Sequence, residues 1–242
     1  MTTKEKLLAL LEDSKGTFFS GEEIARTLQV SRAAVWKAVN ALREDGYTID
    51  AATNKGYRLS PDSDILSPQG IRRFLKPEHR DLDLTVLPTA PSTNALVREK
   101  ANQGRPEGCI IIACEQTAGR GRYGRQFFSP VDSGVYLSLL LRPTAYSPQQ
   151  ATCLTAAAAA AMCQAIEEVT GQQPGIKWVN DIFLHGKKVC GILTEAAVGL
   201  ETGTLNYMVL GAGVNLYPPA EGFPEEIQPI AGSVLELSLI HI

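Results

Sequence analysis

The sequence predicts an α+β chain in which a small helical unit with a β appendage precedes a larger domain built on a mixed β-sheet. Three observations carry this expectation. Short amphipathic segments with serine caps fill most of the first sixty residues. Two β-like segments around an Asn-Lys-Gly tip close that stretch. Beyond it, apolar strand-like runs alternate with two longer helical segments.

Taken in order, Lys4 to Leu11 reads as a helix with Leu7, Leu8 and Leu11 on one face. Ser20 caps a second helix, Gly21 to Leu28, whose first turn carries Glu22 and Glu23. After a break at Gln29-Val30, Ser31 caps a third helix, Arg32 to Asp45, with Val35, Val39 and Leu42 at i, i+4 and i+7. Gly46 ends it. Tyr47 to Asp50 and Tyr57 to Leu59 flank the turn Thr53-Asn54-Lys55-Gly56 and predict a hairpin. Ser60-Pro61-Asp62-Ser63 reads as a linker, which places a boundary between residues 1–62 and 63–237. Ser67-Pro68 opens a helix to Leu75. Strands are expected at Asp83–Leu87, Cys109–Cys114, Gly134–Leu141, Gly175–Trp178, Lys188–Glu195 and Leu205–Leu216. Helices are expected at Ser92–Gln103 and Pro148–Thr170.

With 242 residues, 44% of them apolar and 20% charged, the chain can bury a sizeable core without covalent staples. A net charge of −3 exerts no general pull on nucleic acid or anionic membrane, so any DNA contact needs a local patch. Met1 to Leu11 lacks the apolar core of a secretory signal. The alanine run Ala156–Ala161 is far short of a membrane span. Cytoplasmic residence without membrane contact is the expectation. Five cysteines (Cys109, Cys114, Cys153, Cys163 and Cys190) form no CxxC pair and read as buried free thiols.

Two helices joined by a short turn and followed by a hairpin form the winged helix-turn-helix pattern. Its third helix offers Arg32, Lys37, Asn40 and Arg43 to phosphates and base edges, and Trp36 either lies flat on sugar or packs inward. Lys55 and Arg58 on the hairpin are within reach of an adjacent groove. Residues 1–60 carry about nine basic and eight acidic groups, so a winged helix that binds protein stays open beside one that binds DNA.

Four further segments carry chemistry. Glu115-Gln116-Thr117-Ala118-Gly119-Arg120-Gly121-Arg122-Tyr123-Gly124-Arg125 interleaves arginines with glycines, suiting a loop around a phosphate or carboxylate; a solvated loop or an RGG-type tail is the alternative. Lys177-Trp178-Val179-Asn180-Asp181 leads through a turn at His185-Gly186 to Lys188–Glu195. A lysine opening an apolar strand is costly unless it meets an anion, and Asp181 is a plausible ligand for hydrated magnesium. Gly211-Ala212-Gly213-Val214-Asn215 ends a strand in small residues that permit close approach of a flat ligand. Ser92-Thr93-Asn94 opens a helix and offers hydroxyls and N–H groups to a polar ligand edge.

In this order the motifs resemble the biotin–protein ligases that carry their own DNA-binding domain, over nearly all of the chain; lipoate ligases share the fold with a different arginine–glycine pattern. The resemblance implies roles. Ser92, Thr93, Asn94, Gln116, Gly119, Arg120, Arg122, Lys188 and Gly191 would form the biotin site. Arg122, Arg125, Phe127, Lys177, Asn180, Asp181 and Asn215 would face ATP or the adenylate, with Asp181 toward Mg²⁺. Lys188 and Arg122 would carry catalysis, and Arg32, Trp36, Lys37, Asn40 and Lys55 would contact DNA. A biotin carboxyl carrier protein, operator DNA and a ligand-induced homodimer are the implied partners. Three positions depart from the family pattern: Tyr123 replaces an arginine, Val179 a proline and Phe127 a tryptophan. A biotin-responsive regulator without catalysis, and a ligase whose winged helix does not bind DNA, are the alternatives. Family members usually continue into a small β-barrel domain. This one is expected to lack it, with Ser238–Ile242 read as a non-native tail.

Overall fold

The computed structural model describes residues 1–143, 146, 147, 150–199 and 204–235. The expected helix start at Pro148 and the tail from Glu236 onward lie outside the described residues. Two compact units emerge, Met1–Asp81 and Leu82–Ile242.

In the first unit, α1 (Thr3–Asp13) packs on α3 (Arg32–Glu44), as does α2 (Gly21–Leu28). Their apolar faces meet around Leu7, Leu11, Ile24, Val35 and Leu42. The expected caps form: the Glu23 and Ala34 amides donate to the Ser20 and Ser31 hydroxyls. Strands β1 (Ile49–Ala52) and β2 (Gly56–Leu59) pair antiparallel, and Phe19 bridges to Tyr57. Gly56 holds φ 94°, and an added Cβ there would lie 2.0 Å from the Phe19 carbonyl oxygen, so the hairpin closes only over a glycine.

The unit runs beyond the Ser60–Ser63 linker to Asp81. Helix α4 (Pro68–Arg72) packs on α1. The buried Glu12 carboxylate accepts from the Ser67 hydroxyl at 3.4 Å and meets Arg73 at 3.6 Å. A buried charge needs such partners, and they lie past the boundary drawn at residue 62.

In the second unit, the described residues form a seven-stranded sheet in the order β3 (Asp83–Leu87), β4 (Cys109–Ala113), β5 (Gly134–Leu141), β9 (Leu205–Asn215), β8 (Lys187–Val198), β7 (Asp181–Leu184) and β6 (Gly175–Lys177). β3 and β4 are parallel; the other neighbours are antiparallel. Register assigns the faces, because side chains alternate along each strand. Leu140 and Val209 pair on one face, where Val97 and Ala101 of α5 (Thr93–Asn102) pack. Ala212 and Ile192 pair on the other, under Ala159 and Ile166 of α6 (Ala151–Thr170). No helix among the described residues is long and apolar enough to cross a membrane.

The cysteines are free, but they are not uniformly buried. Cys109 and Cys190 are in the core, Cys114 and Cys163 are half-buried, and Cys153 is exposed on α6, where the helix turns a face to solvent.

Candidate functional site

The side chains that line the site converge on the sheet face that carries α5. Ser138 on β5 pairs with Gly211 on β9, and Gly213 pairs with Gly191 on β8. The N-terminus of α5 sits over these positions, capped by the Ser92 hydroxyl, which accepts from the Ala95 amide. Thr93 and Asn94 are buried in its first turn.

The arginine–glycine segment is a narrow loop tied by backbone hydrogen bonds and not a tail, with Arg120, Arg122 and Arg125 exposed. At its neck the Gln116 amide donates to the Ser129 carbonyl, further out Phe127 donates to Gly119, and near its tip Gly121 donates to Arg125 at 2.7 Å. Gly119 lies inside this neck, where an added Cβ would sit 2.4 Å from the Phe127 carbonyl oxygen. It therefore closes the loop and does not line a cavity.

Two cavities adjoin here. The smaller spans about 450 Å³, part of it open to solvent, and is walled by Ser92, Thr93, Asn94, Gln116, Arg120 and Gly191. The larger spans about 970 Å³, also partly open to solvent, and is walled by Tyr123, Arg125, Asp181, Asn215 and the apolar side of Phe223, Ile227 and Ile230. Gly121, Arg122, Phe127, Asn180 and Lys188 line both. Phe127 forms the partition. Its ring lies across the glycine pair, so that a Cβ on Gly213 would meet it at 2.5 Å and one on Gly191 at 2.9 Å. The small residues of β8 and β9 thus make room for a protein ring, and Gly211 makes room for the Asn94 amide, whose oxygen would lie 2.0 Å from an added Cβ.

The charges form a short chain. Lys188 Nζ lies 2.7 Å from Asp181 Oδ1. Asn180 Nδ2 donates to the same Asp181 oxygen at 2.9 Å, and Arg122 donates to Asn180 Oδ1 at 2.9 Å. The costly lysine of the apolar strand has found its anion inside the protein. Its backbone is held on both sides: the Lys188 amide donates to Ile230, and the Gly232 amide donates to Lys188. Cys190 borders this group, but burial pushes its thiol up to about 12, which leaves it inert.

Lys177 stands apart from its expected company. It lies on the edge strand β6, with its ammonium 5.3 Å from the Phe183 ring centroid, and it lines neither cavity. Asn215 reaches the larger cavity while its amide donates to the Gly232 carbonyl. His185, in the turn before β8, is exposed and contacts Gln172. Sequence reasoning missed Ser129, Ser138, Phe223, Ile227 and Ile230. Ser138 carried a signal, being the one serine in the apolar run Val135–Leu141.

On the first unit, α3 exposes Arg32, Trp36 and Lys37, with Trp36 58% accessible. Trp36 therefore does not pack inward. Asn40 is half-buried. Arg43 turns back to its own domain and donates twice to the Ile49 carbonyl. On the hairpin, Arg58 pairs with Asp50 at 2.8 Å, and Lys55 lies over the Phe18 ring.

A mixed sheet with these adjoining cavities, preceded by a helix-turn-helix unit, defines a class. The chain belongs to the Biotin/lipoate A/B protein ligase family, which residues 86–215 match, and residues 3–58 match an HTH domain. It is 40% identical over 237 residues to the bifunctional ligase/repressor BirA of Bacillus spizizenii, covering 98% of this chain and 72% of that one. The Bacillus subtilis protein of the same name is 41% identical over 233 residues, 96% of this chain and 71% of that one. A similar solved structure is the biotin protein ligase of Aquifex aeolicus in complex with biotin and ATP, at 29% identity and a TM-score of 0.51. That match covers 63% of this chain and 59% of the other.

Proposed function

We propose that this protein activates biotin with ATP and transfers it to a lysine of a biotin carboxyl carrier protein. The carrying observation is the pair of cavities that share Lys188 and Arg122. The small polar chamber suits the biotin ring, and the larger one, cationic and partly apolar, suits a nucleotide. A carboxylate from the first reaches an α-phosphate from the second beside Lys188.

The chemistry needs no general base, because a carboxylate is ionised at neutral pH. Its oxygen forms a bond to the α-phosphorus, the bond from that phosphorus to the bridging oxygen breaks, and pyrophosphate leaves. Lys188 and Arg122 offset the charge that develops, with one well-placed donor contributing about 3 kcal/mol. Asp181 is the carboxylate lining the larger cavity among the described residues, and the amides of Asn180 and Asn215 line it too. Mg²⁺ binds through one or two carboxylates plus substrate phosphates, so this donor set fits it. Asp181 would hold the ion, which supplies neutralisation of phosphate charge. In the second step a carrier lysine amine attacks the acyl carbon. The amide bond forms, AMP departs, and a proton is released. Phe127 and the closed arginine loop shield the anhydride from water until then.

The exposed Arg32, Trp36 and Lys37 of α3 support a second activity, binding of operator DNA as an adenylate-loaded homodimer that represses transcription. The decisive experiment is incubation with biotin, ATP and Mg²⁺ followed by mass spectrometry. Biotinyl-adenylate is the expected product; its absence at saturating substrates would overturn the ligase reading.

A further inference from the structure

Beneath the smaller cavity runs a chain of hydrogen bonds that ends on one carboxylate. Glu195, on β8, accepts from Asn94 Nδ2 at 2.8 Å through one oxygen and from Arg98 at 3.0 Å through the other. Asn94 Oδ1 lies 2.6 Å from the Ser138 hydroxyl. Ser138, fully buried, lies 2.8 Å from Thr93 Oγ1. The Thr93 amide donates to Gln116 Oε1 at 2.9 Å, and Gln116 Nε2 donates to Ser129.

Proton counting gives this chain a direction. An ionised carboxylate only accepts, so Asn94 must turn its NH₂ toward Glu195 and its oxygen toward Ser138. That oxygen also only accepts, so the single Ser138 proton goes to Asn94. The 2.8 Å contact between Ser138 and Thr93 then requires the Thr93 proton, which takes precedence over the longer 3.2 Å approach of Thr93 Oγ1 to Gln116. Thr93 lines the cavity, and its hydroxyl is left with lone pairs for the ligand. Gln116, fixed by the Thr93 amide, likewise presents an acceptor oxygen. The arrangement exists because Gly211 has no side chain, which lets the Asn94 amide lie against β9.

We propose that Glu195 is a positioning residue: its carboxylate, through Asn94 and Ser138, makes the chamber floor an acceptor of N–H groups. On the ligase reading, which this inference rests on, those are the ring N–H groups of the cyclic urea of biotin. The residue touches no substrate. A glutamine at 195 keeps the shape but has one acceptor where two donors converge. Only the long 3.4 Å bond from the Asn94 NH₂ to the Leu193 carbonyl then opposes a flip of Asn94, and the flip reverses the chain as far as Thr93.

The test is Glu195→Gln, with biotin binding by calorimetry and steady-state kinetics for both substrates. The expected result is a rise of about 10-fold or more in the biotin Kd and KM, with the KM for ATP unchanged. Ser138→Ala cuts the same chain without touching the ion pair. It should raise the biotin Kd alone, and the double variant should be no worse than the weaker-binding single one. Unchanged biotin affinity in Glu195→Gln, an equal rise in both KM values, or strict additivity would overturn the proposal. Ser138→Ala still decides the matter if Glu195→Gln fails to fold, since unaltered biotin binding there also overturns it. Failure of the unaltered protein to bind biotin would instead overturn the ligase reading itself.

Discussion

Lys188 and Asp181 hold each other 2.7 Å apart at the seam of the two cavities. A bound anion competes for a lysine that is already in place. Lys188→Met should therefore leave the fold intact and slow adenylate formation by about 10² or more, measured by pyrophosphate release. Normal turnover would remove Lys188 from the chemistry. The cysteines give a second residue-scale expectation. Burial pushes the Cys190 thiol up to about 12, whereas the unfolded chain ionises it at the ordinary thiol value. Between those values the unfolded state binds fewer protons, so the contribution of Cys190 to stability falls as pH rises through that window. At about pH 8, near the ordinary thiol range, iodoacetamide should label exposed Cys153 and spare Cys190 until denaturant is added, read by peptide mass spectrometry. Labelling of Cys190 in the native protein would contradict its inertness. Lys188 is legible in the sequence because a charge opening an apolar strand demands a partner. Glu195 is not, since its partner Asn94 lies 101 residues away and only the packing of α5 on β9, the neighbour of β8, brings them together.

Among the elements, the β8–β9 ladder and the arginine loop are built for each other. The glycine pair on the strands takes the ring of Phe127, which the loop delivers. Gly213→Ala should displace that ring and destabilise the protein by about 1–3 kcal/mol in urea titration, the usual cost of overpacking. An unchanged midpoint would mean the ring has room to spare. Arg122→Gly removes the hydrogen bond to Asn180 and should let the adenylate escape, so that bystander lysines become labelled. Label confined to the carrier would show that retention does not depend on Arg122. Helix positions follow from caps and periodicity, and α2 begins and ends where Ser20 and Gln29 imply. The segment Phe223–Ala231 is illegible in the sequence. It has no strand or helix period of its own and owes its place to β8, whose Lys188 backbone it brackets together with Gly232.

At the scale of the whole molecule, the two units carry separate surfaces. Arg32→Ala with Lys37→Ala should weaken operator binding by about 1–3 kcal/mol for each side chain removed, and should leave carrier biotinylation unchanged. A gel-shift assay beside a ligation assay checks both, and a fall in ligation would show that α3 serves more than DNA. The compact first unit runs on to Asp81, and composition, which marks a turn at Ser60–Ser63, cannot reveal that Glu12 meets Ser67 and Arg73. The Lys188–Asp181 pair has one more consequence, which concerns ionic strength. A biotin carboxylate entering beside Lys188 replaces one anion with another, and few mobile ions are taken up or released. A helix that neutralises several DNA phosphates releases their counterions, and its affinity falls by orders of magnitude between about 50 and 200 mM salt. Salt alone should therefore silence the N-terminal unit while the C-terminal one still binds biotin.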